Sequence, residues 1–431
     1  MSLMPIAKQD SASKAPLYFE QLTACVEHIL ASVGNQIVLG IPLGIGKPNP
    51  LVNALYARAV ANPAIQLTIL TALSLEKPHG NSELEQRFIG PFVERVFGNY
   101  PDLDYVGARR GAGLPPNVKV IEFFLKTGDY LQNDVAQQDF ISCNYTNAAR
   151  DMLAQGVNVL AQAVAVDDSG AQCRLSLSSN PDTTLDMLDL LKLETSRKVL
   201  TVACYNRKLP FMENQAVVAP ELFDCVLTDP IGTHDLFAPP NMKVSLQDYA
   251  IGLYASALIK DGGTLQIGIG SLGDAIAHSL ILRDQQNAAY QRLLTDLSGG
   301  SLSSLLQTTR FEQGLYGCSE MFVNGFMHLI QHGLIRREVF DDLALQSLLN
   351  QGKLQLHLQA DTLQVLQEAG VLGASLSAEQ VVWLCRFGIF KPEVQWQDGM
   401  IVYQDQQFAA DDLAQISQHC LYARWFFPWP A

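Results

Sequence analysis

The sequence predicts an α/β protein made of two similar open α/β domains, the second incomplete or modified. Three observations predict it. Strand-like apolar runs alternate with helical patterns along the chain, as a largely parallel sheet requires. At 431 residues the chain exceeds one ordinary core, since domains average roughly 150 residues. A strand, glycine loop and helix follow one another in that order once in each half.

Taken in order, Gln36-Ile37-Val38-Leu39-Gly40 is a short apolar strand and Leu51 to Ala61 a helix. Gln66 to Leu73 returns to strand, and Val118 to Leu125 is another. Asn144 to Gln155 is helical, Val157 to Val166 a strand, Thr183 to Leu193 a helix, and Lys198 to Ala203 a strand. Ala238-Pro239-Pro240-Asn241 is the best boundary, because adjacent prolines stop regular structure. It separates residues 1–238, a first α/β domain, from residues 239–431, a second. Beyond it, Ser245 caps a predicted helix from Leu246 to Ile259. The repeated unit is QIVLG, Gly44-Ile45-Gly46 and a helix in the first half. In the second it is TLQIG, Gly268-Ile269-Gly270 and a helix from Asp274 to Leu282. Duplication explains both copies, although such units also arise independently in α/β proteins.

Composition excludes several classes. Hydrophobic residues make up 48% and charged residues 17%, a globular balance. With a formal net charge of −14 and only isolated basic pairs, Arg109-Arg110 and Arg336-Arg337, no nucleic-acid partner is expected. An anionic ligand remains compatible, because a few local cations and backbone N–H groups suffice to hold one. The eight cysteines contain no C-x-x-C pair, which argues against a zinc ribbon or a disulfide framework and fits a cytoplasmic protein. The first sixteen residues have no apolar core of a secretory signal. The longest apolar runs fall short of the ~20 residues that span a bilayer. A soluble protein with no membrane partner is expected.

Gly268-Ile269-Gly270-Ser271-Leu272-Gly273 matches G-x-G-x-x-G between a strand and a helix. Such glycines let the backbone turn sharply and aim helix N-terminal N–H groups at a phosphate or a reacting oxygen. A nicotinamide dinucleotide site also needs a carboxylate about 20 residues on, after a second strand. Asp296 has that spacing, but Arg283 to Leu294 reads as a polar helix. A purely structural turn stays open as well. His328 and His332 are one helical turn apart without the glutamate of H-E-x-x-H or a third ligand, so no metal is expected.

Gly314-Leu315-Tyr316-Gly317-Cys318-Ser319-Glu320-Met321-Phe322 puts a carboxylate after glycines and before the apolar-periodic Phe322, Phe326, Leu329 and Ile330. Glu320 therefore stands at a loop-to-helix junction, either as a functional carboxylate or as a helix-dipole partner.

Nearly the whole chain resembles the acetyl-CoA hydrolase/transferase family, which includes acetate and 4-hydroxybutyrate CoA-transferases. Gly268-Ile269-Gly270 and Ser319-Glu320-Met321 match its glycine loop and nucleophile segment. Val118-Lys119-Val120-Ile121-Glu122-Phe123-Phe124, Asn144-Tyr145-Thr146 and Val202-Ala203-Cys204-Tyr205-Asn206 match first-domain positions. IPLGIGKPNPLVNALYARA and HDLFAPP resemble a longer, multidomain branch. The resemblance implies two CoA-transferase-type (NagB/RpiA-like) domains and a short-chain acyl-CoA substrate. It also implies a small carboxylate acceptor and no tightly bound cofactor. Glu320 would be the nucleophile, forming a glutamyl-CoA thioester. Ile269 and Gly270 N–H groups would form the oxyanion hole, with Gly268, Gly270 and Gly273 against CoA. Two other functions stay open, a non-catalytic acyl-CoA-binding protein and an NAD-dependent oxidoreductase, and self-association into a homo-oligomer is undecided.

Two departures stand out. Arg283 to Thr309, polar and then Ser/Gly-rich, resembles an insertion. The family's second glycine loop, G-x-G-G-Q or similar, does not follow Glu320, which implies weak activity with hydrolysis favoured over transfer. Arg424-Trp425-Phe426-Phe427-Pro428-Trp429-Pro430-Ala431 is what a shifted reading of a G-G-F-F-L-G-P segment would encode; a native end packing its aromatics is the alternative.

Overall fold

A computed structural model describes residues 15–170, 173–193, 198–237, 243–300, 303–319, 321–355 and 357–422. The chain divides into two compact units, Met1–Pro239 and Pro240–Ala431. The expected boundary at Ala238–Asn241 and the tail from Arg424 lie outside the described residues.

The first unit is built on β1 (Leu17–Phe19), β2 (Gln36–Gly40), β3 (Gln66–Thr71), β4 (Val118–Glu122), β5 (Val159–Asp167), β6 (Arg174–Ser176), β7 (Leu200–Tyr205), β8 (Val217–Val218) and β9 (Cys225–Leu227). The main path runs β1-β9-β7-β5-β2-β3-β4, with β6 off β5 and β8 off β6. Every pair along that path is parallel. Parallel strands covered on both faces read as continuous apolar runs, and β5 does so, being buried from Val159 through Val164 and Ala165. Alternate residues feed two cores: Leu39, Ile69, Val120 and Ala161 on one face, Leu70, Ile121 and Leu160 on the other. The predicted helices at Asn49–Ala61, Ala148–Ala154 and Asp182–Leu193 cover these faces.

From β2 onward the chain adds β3 and β4 on one side, then β5, β7 and β9 on the other. The direction of growth thus reverses between β2 and β5. In open α/β sheets such a reversal leaves a crevice beyond the carboxyl ends of the strands. A buried polar network occupies this edge. Glu122, at the end of β4, accepts from Ser74 N and Ser74 Oγ, both at 2.7 Å, and pairs with Arg109. The Tyr105 hydroxyl meets Ser74 Oγ at 2.7 Å. Lys47, only 3% exposed, donates to Leu73 O at 3.2 Å.

In the second unit, β10 (Thr264–Leu265) and β11 (Tyr316–Gly317) form a parallel pair. Helices Leu246–Ala257, Ser271–Gln285, Asn287–Leu297 and Asn324–Gln331 surround it. Ser245 caps the first of these, accepting from Asp248 N at 3.1 Å while Asp248 accepts from Ser245 N at 3.1 Å, so the predicted cap is a full capping box. The unit repeats the strand, glycine loop and helix of the first, but among the described residues its parallel sheet is two strands wide. Farther on, β12 (Gln395–Gln397), β13 (Met400–Tyr403) and β14 (Gln406–Ala409) form an antiparallel sheet. It shares a core with helices Leu343–Asn350, Thr362–Glu368, Ala378–Arg386 and Leu413–Cys420.

The stretch that reads as an insertion, Arg283 to Thr309, contributes to the packing of this unit. Tyr290 and Leu294 are fully buried with Leu253 and Ala257. Arg283 is 0% exposed; it donates to Thr309 O, Ser256 O and Ile259 O at 2.7, 2.9 and 2.6 Å and lies over the Phe311 ring. Two of those carbonyls belong to the end of the helix Leu246–Ala257 and its continuation, where the helix dipole favours a cation.

Burial lowers the Lys47 pKa from 10.5 to about 8, against the opposing attraction of Glu122 and Asp182. Between those pH values the unfolded chain holds the extra proton, so this group adds stability as pH rises from about 8 toward 10.5. Below about pH 8 the charged amine carries its full cost, on the order of 3 kcal/mol. Lys47→Met should therefore raise the unfolding free energy at pH 7 by up to about 3 kcal/mol. Urea melts of both forms should show that gain shrinking steadily toward pH 10.5; a gain independent of pH would contradict the assignment.

Candidate active site

The strands β10 and β11 are far apart in sequence, and one carboxylate joins them. Asp261 Oδ1 accepts from Gly262 N at 3.0 Å and Gly314 N at 2.9 Å, while Oδ2 accepts from Glu312 N at 2.9 Å and Gln313 N at 3.0 Å. Burial opposes ionisation of Asp261, yet the backbone donors outweigh it and hold the carboxyl below its usual pKa. The ladder then runs through Tyr316 N to Gly263 O at 3.0 Å and Cys318 N to Leu265 O at 2.9 Å. Leu315 N also donates to Leu334 O at 2.7 Å, which ties in the chain beyond the helix Asn324–Gln331.

Parallel pairing makes both strands leave at the same end. There β10 continues through Ile267 into Gly268-Ile269-Gly270, and β11 into Cys318-Ser319. Ser319 Oγ lies 3.2 Å from Ile267 O and 2.7 Å from Met321 O. The glycine loop and the residues flanking position 320 are thus neighbours. Glu320 itself lies outside the described residues.

The loop has the shape an anion-binding turn needs. Gly270 adopts φ 127° and ψ 168° as it enters the helix Ser271–Gln285, a conformation that side chains resist. A Cβ on Gly273 would stand 2.5 Å from Gly268 O, so glycine there lets the loop fold back on its own helix. The N–H groups of Ile269 and Gly270 have no hydrogen-bond acceptor among the described residues. They adjoin a helix N-terminus, whose partial positive charge favours an oxyanion. The Ile269 side chain is 58% exposed, Leu272 is exposed three residues on, and Met321 and Phe322 are exposed in the segment after Ser319. This arrangement can polarise a carbonyl oxygen next to the segment that carries a carboxylate.

The other motifs resolve differently. Asp296 lies within the helix Asn287–Leu297, not after a second strand, so Asp296 does not hold the position of a ribose-binding carboxylate. His332 Nδ1 is 2.8 Å from His328 O, a contact along one helix. Among the described residues no group of three His, Cys, Asp or Glu side chains is arranged to hold a metal. No described helix is long and apolar enough to cross a membrane. Sequence reasoning missed Asp261 and Arg283. Asp261-Gly262-Gly263 signals a turn, but nothing local names the strand on which that carboxylate acts.

No family model matches the sequence, and no curated protein matches it. Among solved structures, RipA from Yersinia pestis is similar at a TM-score of 0.41 and 16% identity, over 72% of this chain and 58% of that one. A 4-hydroxybutyrate CoA-transferase from Porphyromonas gingivalis is similar at a TM-score of 0.37 and 16% identity, over 72% and 56%. The putative alpha subunit of citrate lyase from Streptococcus mutans, in complex with citrate, has a TM-score of 0.37 and 12% identity, over 81% and 60%. The chain spans less than two thirds of the length of each.

Asp261→Ala should leave Glu312 N, Gln313 N and Gly314 N without their acceptor, while Gly262 N keeps its bond to Gly314 O. Glu312 N and Gln313 N are exposed and regain water, so at the ~1.5–3 kcal/mol typical of a hydrogen bond to a charged group we expect a loss of about 1–3 kcal/mol in the second unit. Hydrogen exchange at Tyr316 and Cys318 should accelerate with it. Asp261→Asn keeps one acceptor oxygen and should lose less; unchanged stability in Asp261→Ala would show that the carboxylate is not the clamp.

Proposed function

We propose that the protein is a CoA-transferase or acyl-CoA hydrolase acting on short-chain acyl-CoA, with Glu320 as nucleophile. The observation that carries this reading is the pairing of β10 with β11, which sets Ser319 against the strand leading into the glycine loop. The sequence resemblance assigns the nucleophile and the oxyanion donors to those same two segments.

A glutamate, with a reference pKa of about 4.3, is ionised at neutral pH and needs no separate base to attack a thioester. Its carboxylate oxygen adds to the acyl carbonyl, and the negative charge passes to the carbonyl oxygen. The Ile269 and Gly270 N–H groups are the candidate donors to that oxygen. Collapse expels CoA as the thiolate and leaves an acyl-glutamyl anhydride. The thiolate then attacks the glutamyl carbonyl and releases the acyl group as a free carboxylate, giving a glutamyl-CoA thioester. An acceptor carboxylate repeats the two steps in reverse, yielding a new acyl-CoA and free Glu320. Water instead yields free CoA. One oxyanion donor is typically worth about 3–4 kcal/mol, so both tetrahedral steps depend on the loop.

Incubation with acetyl-CoA followed by intact-mass and peptide analysis tests this. A stoichiometric CoA adduct on Glu320 is expected, with loss of the adduct and of turnover to background in Glu320→Gln at an unchanged melting temperature. Turnover surviving in Glu320→Gln would refute the nucleophile. Reversible CoA binding with no adduct would favour a binding protein.

A further inference from the structure

We propose that the helix Glu83–Phe97 is a self-association surface, on which a second copy of this chain docks the same helix antiparallel about a two-fold axis. The surface belongs to the first unit and does not depend on the glutamyl chemistry proposed above.

None of the fifteen residues of this helix is buried, although much of it is apolar. Leu84 is 76% exposed, Phe88 89% and Phe92 40%. Spaced four apart, they form one stripe, because a helix turns every ~3.6 residues. The inner side is docked on the first unit: Ile89, Val93, Val96 and Phe97 are half-buried, and the Phe97 ring lies 5.0 Å from that of Phe237. Both ends are fixed as well. Ser82 Oγ accepts from Glu85 N at 3.2 Å. Past the other end, Asn99 N donates to Asp235 Oδ2 at 3.0 Å and Asp235 N to Asn99 Oδ1 at 2.6 Å. The outer stripe is therefore held in a fixed place. Helices draw most of their stability from burying such a stripe, and contiguous exposed apolar side chains rimmed by charge mark interaction sites.

Charge selects the partner. Glu85 stands three residues before Phe88, and Arg95 three residues after Phe92, so both lie beside the stripe. Reversing the helix about the level of Gly90 exchanges these two residues. A two-fold antiparallel pair thus sets each Glu85 against an Arg95, and Phe88 of each copy against Phe92 of the other. Such an interface is self-complementary, as two-fold symmetry demands. A parallel pair in register would oppose Glu85 to Glu85 and Arg95 to Arg95, which repel. Arg95 has no hydrogen bond or ion pair among the described residues, and Glu85 uses Oε2 alone, accepting from Asn81 N at 2.7 Å. Both charges are available to a partner. A lipid surface fits less well. Helices that lie on membranes carry Lys and Arg on the polar side, whereas this one sets Glu83, Glu85 and Glu94 against Arg87 and Arg95.

One helix from each copy buries less than the ~1,200–2,000 Å² of a stable complex, so the dimer forms and dissociates with concentration. Sedimentation velocity of the full chain, from about 2 to about 200 μM in about 0.15 M salt, tests the proposal. The wild type should pass from monomer to dimer across that range. Phe88→Asp should weaken association about a hundredfold or more, because each dimer loses two buried rings and gains two desolvated charges. Glu85→Arg and Arg95→Glu should each weaken it about three- to tenfold, and the two together should restore it. If either charge reversal loses its cooperative melt, Phe88→Asp decides alone. Glu320→Gln should associate as the wild type does, which separates this surface from the glutamyl reading. A wild type that stays monomeric at about 200 μM, association unchanged in Phe88→Asp, or a well-folded double variant no stronger than the single ones would each overturn the proposal.

Discussion

Four backbone N–H groups converge on the Asp261 carboxylate, and the second unit's arrangement depends on that convergence. A two-stranded parallel ladder is weak by itself, since its strands are joined by a long excursion whose closure costs entropy. Charge-assisted bonds to backbone N–H groups are stronger than neutral ones, and here they sit where the excursion returns. They set the register in which Leu265 faces Gly317, and that register brings Ser319 to Ile267. The glycine loop and the carboxylate segment meet because a residue in neither of them holds the strands.

Arg283 complements this clamp with donors. Asp261 gathers N–H groups from the returning chain, and Arg283 gathers carbonyls from the end of one helix region and from Thr309. A charge taken out of water, fully for Arg283 and partly for Asp261, is costly unless backbone dipoles or partners compensate it. Both residues use main-chain groups for most of that compensation, so each fixes backbone position more directly than a pair of side chains would. The segment from Arg283 to Thr309 becomes part of the unit's core through Tyr290 and Leu294.

The first unit separates its tasks by depth. Apolar residues alternating along the parallel strands supply two cores, while polar and charged residues collect where the strands end. Glu122, Ser74, Arg109 and Tyr105 satisfy one another there. Among the described residues Asn49 Oδ1 and Thr183 Oγ1 have no hydrogen-bond partner, and Lys47 donates to Leu73 O.

The sequence by itself determined the kind of fold and most of the first unit's elements. Apolar runs such as Gln36–Gly40 and Val157–Val166 become strands because burial on both faces demands continuous hydrophobicity, and Ser245 caps its helix through bonds three residues long. Those are local effects, readable within a turn or a strand. The glycine loops were legible too, since Gly270 and Gly273 answer to their own backbone. Tertiary structure alone decided the rest. Arg283, read as part of a polar insertion, is buried because distant carbonyls and the Phe311 ring receive it. Asp261 reads as a turn residue until its four donors are seen. Lys47 stands in a glycine- and proline-rich loop, yet it is 3% exposed and bonded to Leu73 O from another segment. In each case the partners come from elsewhere in the chain, and the energetics of a charge depend on what surrounds it in space.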